Sequence, residues 1–336
     1  MAGASIVLGR VRRTLLARQL LRPGDHVLAA CSGGPDSAAL LAALARLADG
    51  FDLRLSAASV NHGLRADAAL DVELAREQAR ALSVGFHCVS VELGPRGPSL
   101  QSRARRARYQ ALLDLGAGLG AQRVATGHTQ DDQAETVLAR LTRGTGIEGL
   151  AGIDPGRADG VIRPLIDCRR ADVRALATAT FRRLADDASN RDARFLRTRV
   201  RDLLVPLAQQ DPALISHLAA LADDARSMRE HLRLQAEALL VRSTVESTPH
   251  GPPFHLGLAL LRESGESLRR ATLRRWIAKC TGHLPGRAQL QALDAVVTSG
   301  RGEVWLAGGW SVRPQRGRFV LSRGSGRARG RRRVGH

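Results

Sequence analysis

The chain has 336 residues, of which 44% are hydrophobic and 25% charged, enough for a packed core and for two domains. A formal net charge of +19, carried by arginine except for Lys279, favours a polyanionic partner, while an aromatic content of 3% argues against a base-stacking platform and for recognition by backbone charge and shape. No run of about 18 apolar residues is present. The short apolar stretch near Ile6 is followed by Arg10, Arg12 and Arg13 rather than by a cleavage site, so neither a membrane span nor a signal peptide is expected and the default location is the cytoplasm.

In chain order, His26–Ala30 reads as a buried strand and Ser37–Leu47 as an alanine- and leucine-rich helix. Strands over Leu53–Val60 and Phe86–Leu93 enclose a helix over Asp67–Leu82. A helix over Gln101–Leu115, a short strand at Arg123–Thr126, a helix over Thr129–Thr142 and a strand at Val161–Ile166 continue the alternation. Such alternation predicts an α/β fold: a Rossmann-like parallel sheet with helices on both faces, whose ligands bind beyond the carboxyl ends of the strands. After Asp211-Pro212 a long helix is expected over Ala213–Val241, then a break at Pro249–Pro253. A smaller α+β domain follows, with turn signals at Gly300, Gly302, Gly308 and Gly309. The expected organisation is a catalytic domain over 1–211, a helical linker and α+β domain over 212–322, and a disordered basic tail over 323–336.

Cys31, Cys88, Cys168 and Cys280 are widely spaced, with no C-x-x-C pair. They read as four buried single thiols and exclude a zinc ribbon, an iron–sulfur cluster or a disulfide framework.

The segment Ser32-Gly33-Gly34-Pro35-Asp36-Ser37 lies between the first strand and its helix. Two glycines let the backbone turn sharply and approach a ligand, and the helix start presents N–H groups and a positive dipole end to an anion. Ser32 and Ser37 can donate from their hydroxyls. Asp36 repels phosphate, so it acts either through a bridging Mg2+ or as a helix cap. The ending lacks the G-K-[ST] of a Walker A loop, and the segment is no dinucleotide fingerprint.

A second constellation, Gly127-His128-Thr129-Gln130-Asp131-Asp132-Gln133-Ala134-Glu135, follows a strand and opens a helix. Thr129 and Asp132 have capping-box spacing. Ala134, Val137, Leu138 and Leu141 form an apolar stripe, and Asp132 and Glu135 share a face away from it. Neither acid has an arginine three or four positions further along. They are therefore either a solvated acidic face or a site for a metal ion or an amine substrate. His128 can donate to phosphate or assist proton transfer.

The loop resembles the S-G-G-x-D-S loop of PP-loop ATP pyrophosphatases. With Asn61-His62-Gly63-Leu64-Arg65, Arg105-Arg106-Ala107-Arg108-Tyr109, the segment from Ala125 through Gly144-Thr145-Gly146-Ile147-Glu148-Gly149 to Ile153, Arg163-Pro164-Leu165, Asp187–Asp192 and Arg197-Thr198-Arg199-Val200-Arg201, the order is similar to the tRNA(Ile)-lysidine synthetase family over residues 25–207. The resemblance implies ATP-dependent attachment of free L-lysine to carbon 2 of the wobble cytidine of a CAU-anticodon isoleucine tRNA. It implies that Ser32, Gly33, Gly34, Pro35, Asp36, Ser37, His62 and Gly127 hold ATP and that Asp36 holds Mg2+. It also implies that Asp132 and Glu135 take the lysine ammonium, with His128 and Arg108 in the catalytic set. One of Arg197, Arg199 and Arg201 contacts ATP or tRNA phosphate. Thr198 stands where the family has Asn, and Thr129 where it has His or a similar polar residue.

Rival readings are a tRNA thiolase of the same superfamily, an amide-forming ligase and a non-catalytic RNA-binding protein. The thiolase lacks its cysteine pair here, the ligase leaves the basic charge unexplained, and the binder has no use for Asp36, Asp132 and Glu135. A homodimer is left open.

Overall fold

Five short parallel strands organise the first part of the chain, and their side chains alternate between two covered faces. In β1 (His26–Ala30), Val27 and Ala29 face one core cluster and Leu28 the other. The computed structural model describes residues 2–61, 68–91, 100–185, 196–246 and 255–323. Around β1 stand β2 (Arg54–Asn61), β3 (Gly85–Ser90), β4 (Arg123–Ala125) and β5 (Val161–Ile162), in the order β3-β2-β1-β4-β5. All pairings in this sheet are parallel. Strand order therefore reverses between β1 and β4, and a doubly wound sheet opens its ligand crevice at that switch point.

The helices cover both faces, as expected. α1 (Ala2–Ala17), α2 (Pro35–Phe51), α3 (Ala68–Ala81) and α7 (Arg170–Thr180) contribute to one core cluster. α2 is buried along every residue from Ser37 to Leu44, which its alanines permit. α4 (Leu100–Gly118) packs Tyr109 and Leu112 against Leu28 and Val124 on the opposite face. α5 (Gln130–Leu141) and the short α6 (Ile147–Leu150) lie between β4 and β5, and α8 (Leu196–Gln210) packs on α5.

Besides the single-turn α6, three of these helices were absent from the sequence-based expectation. α1 buries Val7, Val11 and Leu15 at a spacing of four, a stripe hidden by its many arginines. α7 buries Val173, Leu176 and Ala177. α8 carries Pro206 in its interior, a residue that normally argues against a helix. β5 is shorter than expected: Pro164, which has no N–H to donate, follows two residues after it.

Two compact units divide the chain at Arg226/Ser227, within α9 (Leu214–Ser243). The start of α9 belongs with the first unit because Asp223 pairs with Arg18 at 2.8 Å and Arg226 donates to the carbonyls of Ala151 and Ile153.

The second unit holds an antiparallel sheet ordered β6-β7-β10-β9-β8, from β6 (Thr244–Glu246), β7 (His255–Gly257), β8 (Val304–Trp305), β9 (Trp310–Gln315) and β10 (Arg318–Arg323). α10 (Ala259–Glu263), α11 (Glu266–Thr281) and α12 (Arg287–Ser299) complete it. Its core centres on Trp276 and Phe319, stacked with ring centroids 6.1 Å apart. Arg316 and Gly317 both have positive φ, the two-residue hairpin turn whose twist matches that of the strands. Arg323 closes β10 and lies over the Trp310 ring, so it is part of the sheet; residues 324–336 and the Pro249–Pro253 break lie outside the described residues. Among the described residues no helix is long and apolar enough to cross a membrane.

Candidate active site

The phosphate loop runs from the carboxyl end of β1 into α2. Gly33 has φ of +77°, and a Cβ there would sit 2.8 Å from the Asp71 carbonyl oxygen, so the turn needs glycine. The Gly33 carbonyl accepts from the backbone N–H of Ala185 and from Gln78 Nε2, both at 2.9 Å. Ser32 N–H donates to Ser37 Oγ at 3.1 Å, and the Ser37 hydroxyl donates to the Gly34 carbonyl at 3.0 Å. Gly34 is the N-cap of α2, with no side-chain cap, and Pro35 occupies the first turn. The helix start is thus held rigidly while its first N–H groups face no capping side chain, the arrangement an anion uses.

Asp36 sits in that first turn and is not the cap. Its Oδ1 is buried and has no hydrogen-bond partner among the described residues. Burial, reinforced by the charge of Asp132, pushes its carboxyl up to about 6, against the pull of Arg170, Arg174 and Arg201. A buried carboxylate oxygen without a donor fits a cation. Mg2+ commonly takes one or two carboxylates and completes its shell with phosphate oxygens and water. No group of three or more acidic, His or Cys side chains that could hold a metal forms among the described residues, so Asp36 is the residue whose chemistry fits Mg2+.

The second constellation is pressed against the first. A Cβ on Gly127 would lie 2.9 Å from the backbone oxygen of Asp36, so only glycine lets the β4–α5 connection touch the phosphate loop. Thr129 caps α5 in a complete capping box with Asp132, as the spacing predicts. The apolar stripe is present in Ala134, Val137 and Leu138, but Leu141 is exposed at the helix end.

Asp132 and Glu135 are not a solvated face: they are 5% and 2% exposed. Arg170 bridges them, with Nη2 at 2.8 Å from Asp132 Oδ1 and Nη1 at 2.8 Å from Glu135 Oε1. Arg201 Nε adds a third bond to Glu135 Oε1, also at 2.8 Å. Burial opposes ionisation of Glu135, yet the bonds from Arg201 and Arg170 outweigh it and hold its carboxyl below the usual range. Arg170 was not singled out from sequence. Its partners lie 38 and 35 positions away, whereas a helix-local search reaches only four.

His128 follows on the same connection. Its Nδ1 lies 3.1 Å from Thr126 Oγ1 and its Nε2 lies 3.3 Å from Arg105 Nη2. Arg105 thus meets the imidazole, and Arg108 lies on α4 with an exposed side chain. Arg199 is exposed on α8, and Arg201 serves Glu135. His62 and Asp187–Asp192 lie outside the described residues. Three thiols are buried, but Cys88, on edge strand β3, is exposed, contrary to expectation. Burial pushes the Cys31 and Cys168 thiols up to about 12, so neither is poised as a nucleophile.

Residues 10–208 match the PP-loop domain family, and residues 256–319 match the TilS substrate binding domain. The tRNA(Ile)-lysidine synthase of Salinispora tropica is 35% identical over 321 residues, covering 92% of this chain and 93% of that protein. The chain belongs to the tRNA(Ile)-lysidine synthase family. The family members from Symbiobacterium thermophilum and Solibacter usitatus are 37% and 40% identical over 89% and 64% of this chain, which spans 65% and 50% of their respective lengths. Among solved structures, the U34-tRNA thiolase NcsA of Methanococcus maripaludis superposes with a TM-score of 0.57 over 68% of this chain and 80% of that one. At 18% identity this shows a shared fold. In this family member the loop, the Gly127 contact and the arginine-locked acids all sit at the switch point between β1 and β4.

Proposed function

We propose that this chain joins free L-lysine to carbon 2 of the wobble cytidine of a CAU-anticodon isoleucine tRNA, consuming ATP. The observation that carries the proposal is the packing of Gly127 on Asp36, which unites the phosphate loop with the acidic pair in one site. In the first step the cytosine O2 attacks the α-phosphorus of ATP and pyrophosphate leaves. In the second the lysine ε-amine attacks carbon 2, the carbon–oxygen bond breaks and AMP leaves.

Ser32 to Ser37, with His62 and Gly127, hold the phosphates of ATP in this reading. Asp36 is the residue that would hold Mg2+, and a bound Mg2+ neutralises phosphate charge there. Asp132 and Glu135 take the lysine ammonium beside the arginines they already hold; each carboxylate oxygen has two lone pairs, so added donors can share it. Their burial strengthens that attraction by excluding water. The amine must lose a proton before attack, and His128 is the nearby group suited to moving it. Arg105, Arg108 and Arg199 are assigned to tRNA phosphate, and the cytoplasm to the enzyme's location.

Purified protein given ATP, Mg2+, labelled lysine and the isoleucine tRNA transcript is expected to place label in the tRNA. Label that appears only with a sulfur donor points to the thiolase reading, and AMP formed with another acceptor, or none formed at all, removes the lysidine reading. Asp132→Asn is expected to spare ATP binding and raise the KM for lysine; an unchanged lysine KM removes its assigned role.

A further inference from the structure

α3 buries Ala75, Gln78 and Ala79 along one stripe, and the proposed reaction gives the polar member of that stripe no role. Gln78 is 3% exposed. An aliphatic side chain would bury there without hydrogen-bonding cost, whereas an amide must find partners. Gln78 finds them at one end only. Its Nε2 donates to the Gly33 carbonyl at 2.9 Å and to the Arg183 carbonyl at 3.3 Å, while its Oε1 is buried with no partner among the described residues. Carbonyl oxygens only accept, so the end that meets them is the NH2 group, and both of its hydrogens are committed.

The Gly33 carbonyl does not need Gln78 to be satisfied, because it already accepts from the Ala185 N–H at 2.9 Å. Two donors, one from α3 and one from the segment after α7, therefore fix a single oxygen in two directions, and that oxygen belongs to the phosphate loop. α3 also approaches the loop through its backbone: the Asp71 carbonyl oxygen is the atom that excludes a side chain at Gly33. A trans peptide is planar, with its C=O and N–H pointing to opposite sides, and the described chain has no cis peptide. Drawing the Gly33 oxygen toward α3 thus turns the Gly34 N–H away from α3. That N–H makes no hydrogen bond among the described residues, and Gly34 is the N-cap from which α2 starts. It stands beside the first-turn N–H groups of α2, where an anion is held.

We propose that Gln78 is a positioning residue for the phosphate loop: by holding the Gly33 carbonyl, it aims the Gly34 N–H at the β- and γ-phosphates of ATP. The inference rests on the assignment of Ser32 to Ser37 to the ATP phosphates above. In that reaction the α-phosphorus must lie open to the cytosine O2, which leaves the other two phosphates for the loop. Gln78 touches no substrate and acts through the Gly33–Gly34 peptide. With no Cβ on either side, that peptide rotates readily once one of its two holds is lost.

Gln78→Met keeps the length of the side chain and removes its donors. In titration calorimetry with Mg2+, the variant is expected to bind ATP about tenfold more weakly than the wild type and AMP within about twofold of it, since AMP lacks the β- and γ-phosphates. Equal losses for both nucleotides, or no loss, overturn the positioning role. Without nucleotide, the Ala185 N–H, which bonds the same carbonyl, should exchange with solvent about tenfold faster in the variant, while the β1 amides of Val27 to Ala29 stay unchanged. Exchange that is unaltered, or faster throughout, also overturns it. If the variant does not fold, the wild type alone tests the aim of the peptide. Inorganic pyrophosphate with Mg2+ is expected to slow exchange of the Gly34 N–H, and unaltered exchange with pyrophosphate bound overturns the proposal. If wild-type protein binds ATP no better than AMP and binds no pyrophosphate, the assignment of the loop to ATP fails, and the Ala185 exchange still decides whether Gln78 holds the loop.

Discussion

Asp36 carries a conflict between stability and chemistry. Its carboxyl is pushed up to about 6 in the folded protein, from an ordinary value of 3.8. Between those values the native state holds a proton that the unfolded chain has released, so stability falls as pH rises through that window and the penalty is complete above it. Asp36→Asn removes the penalty. It is expected to raise the unfolding free energy at pH 8 by roughly 1–3 kcal/mol and to change it little at pH 4. Turnover should drop on the order of a hundredfold or more if Asp36 holds Mg2+ as proposed. Thermal unfolding at the two pH values checks the first part; equal shifts at both would refute it. Arg170 shows the opposite balance. It neutralises two buried acids at once, and removing one partner of such a cluster costs about 3–5 kcal/mol. Arg170→Met should lose that much in urea denaturation. The double variant with Glu135→Gln should lose less than the sum of the two single changes, since each single change already breaks the Arg170–Glu135 bond. Strict additivity would mean that the two do not interact.

At the scale of elements, the contact between the phosphate loop and the β4–α5 connection is the feature most sensitive to one methyl group. Gly127→Ala forces a Cβ onto the Asp36 backbone, which cannot swing aside like a side chain. The strain is expected to cost about 1–3 kcal/mol and to fall on the loop, weakening ATP binding about tenfold. Gly50→Ala, in the last turn of α2 with nothing within 4 Å, is the control: ATP affinity should hold and stability should rise by up to about 1 kcal/mol. ATP titration calorimetry on both variants separates loop strain from general damage. The elements that build this contact were legible in sequence because their signals are local: β1 matches residue for residue, and the capping box of α5 is a three-residue spacing. What stayed hidden depends on distance along the chain. Arg201 reaches Glu135 across 66 positions, and no periodicity encodes that. α1 and α8 were masked by arginines that break the apparent apolar pattern, although α7 kept a readable Val173, Leu176, Ala177 spacing.

Across the whole molecule the positive excess has two destinations. Some arginines are structural: Arg18 bridges Asp167 and Asp223, Arg170 bridges Asp132 and Glu135, and Arg269 is buried against Asp294. These three arginines meet five carboxylates, so none of the formal excess of +19 lies in these clusters and it resides in the remaining cations. If that excess engages a polynucleotide backbone, binding releases counterions, and affinity falls linearly with salt on logarithmic axes. About six phosphate contacts would weaken tRNA binding roughly a thousandfold between about 50 and 200 mM salt. The site proposed for lysine and ATP holds its acidic pair buried against arginines, where salt screens far less. Their KM values, measured at saturating tRNA over the same range, are therefore expected to change less than about threefold. Filter binding of the isoleucine tRNA by the full chain, with parallel kinetics, checks both halves. A tRNA affinity indifferent to salt would assign the arginine excess to something other than the tRNA backbone. A lysine KM as salt-sensitive as tRNA binding would show that the acidic pair is open to solvent during turnover, against its burial in this structure.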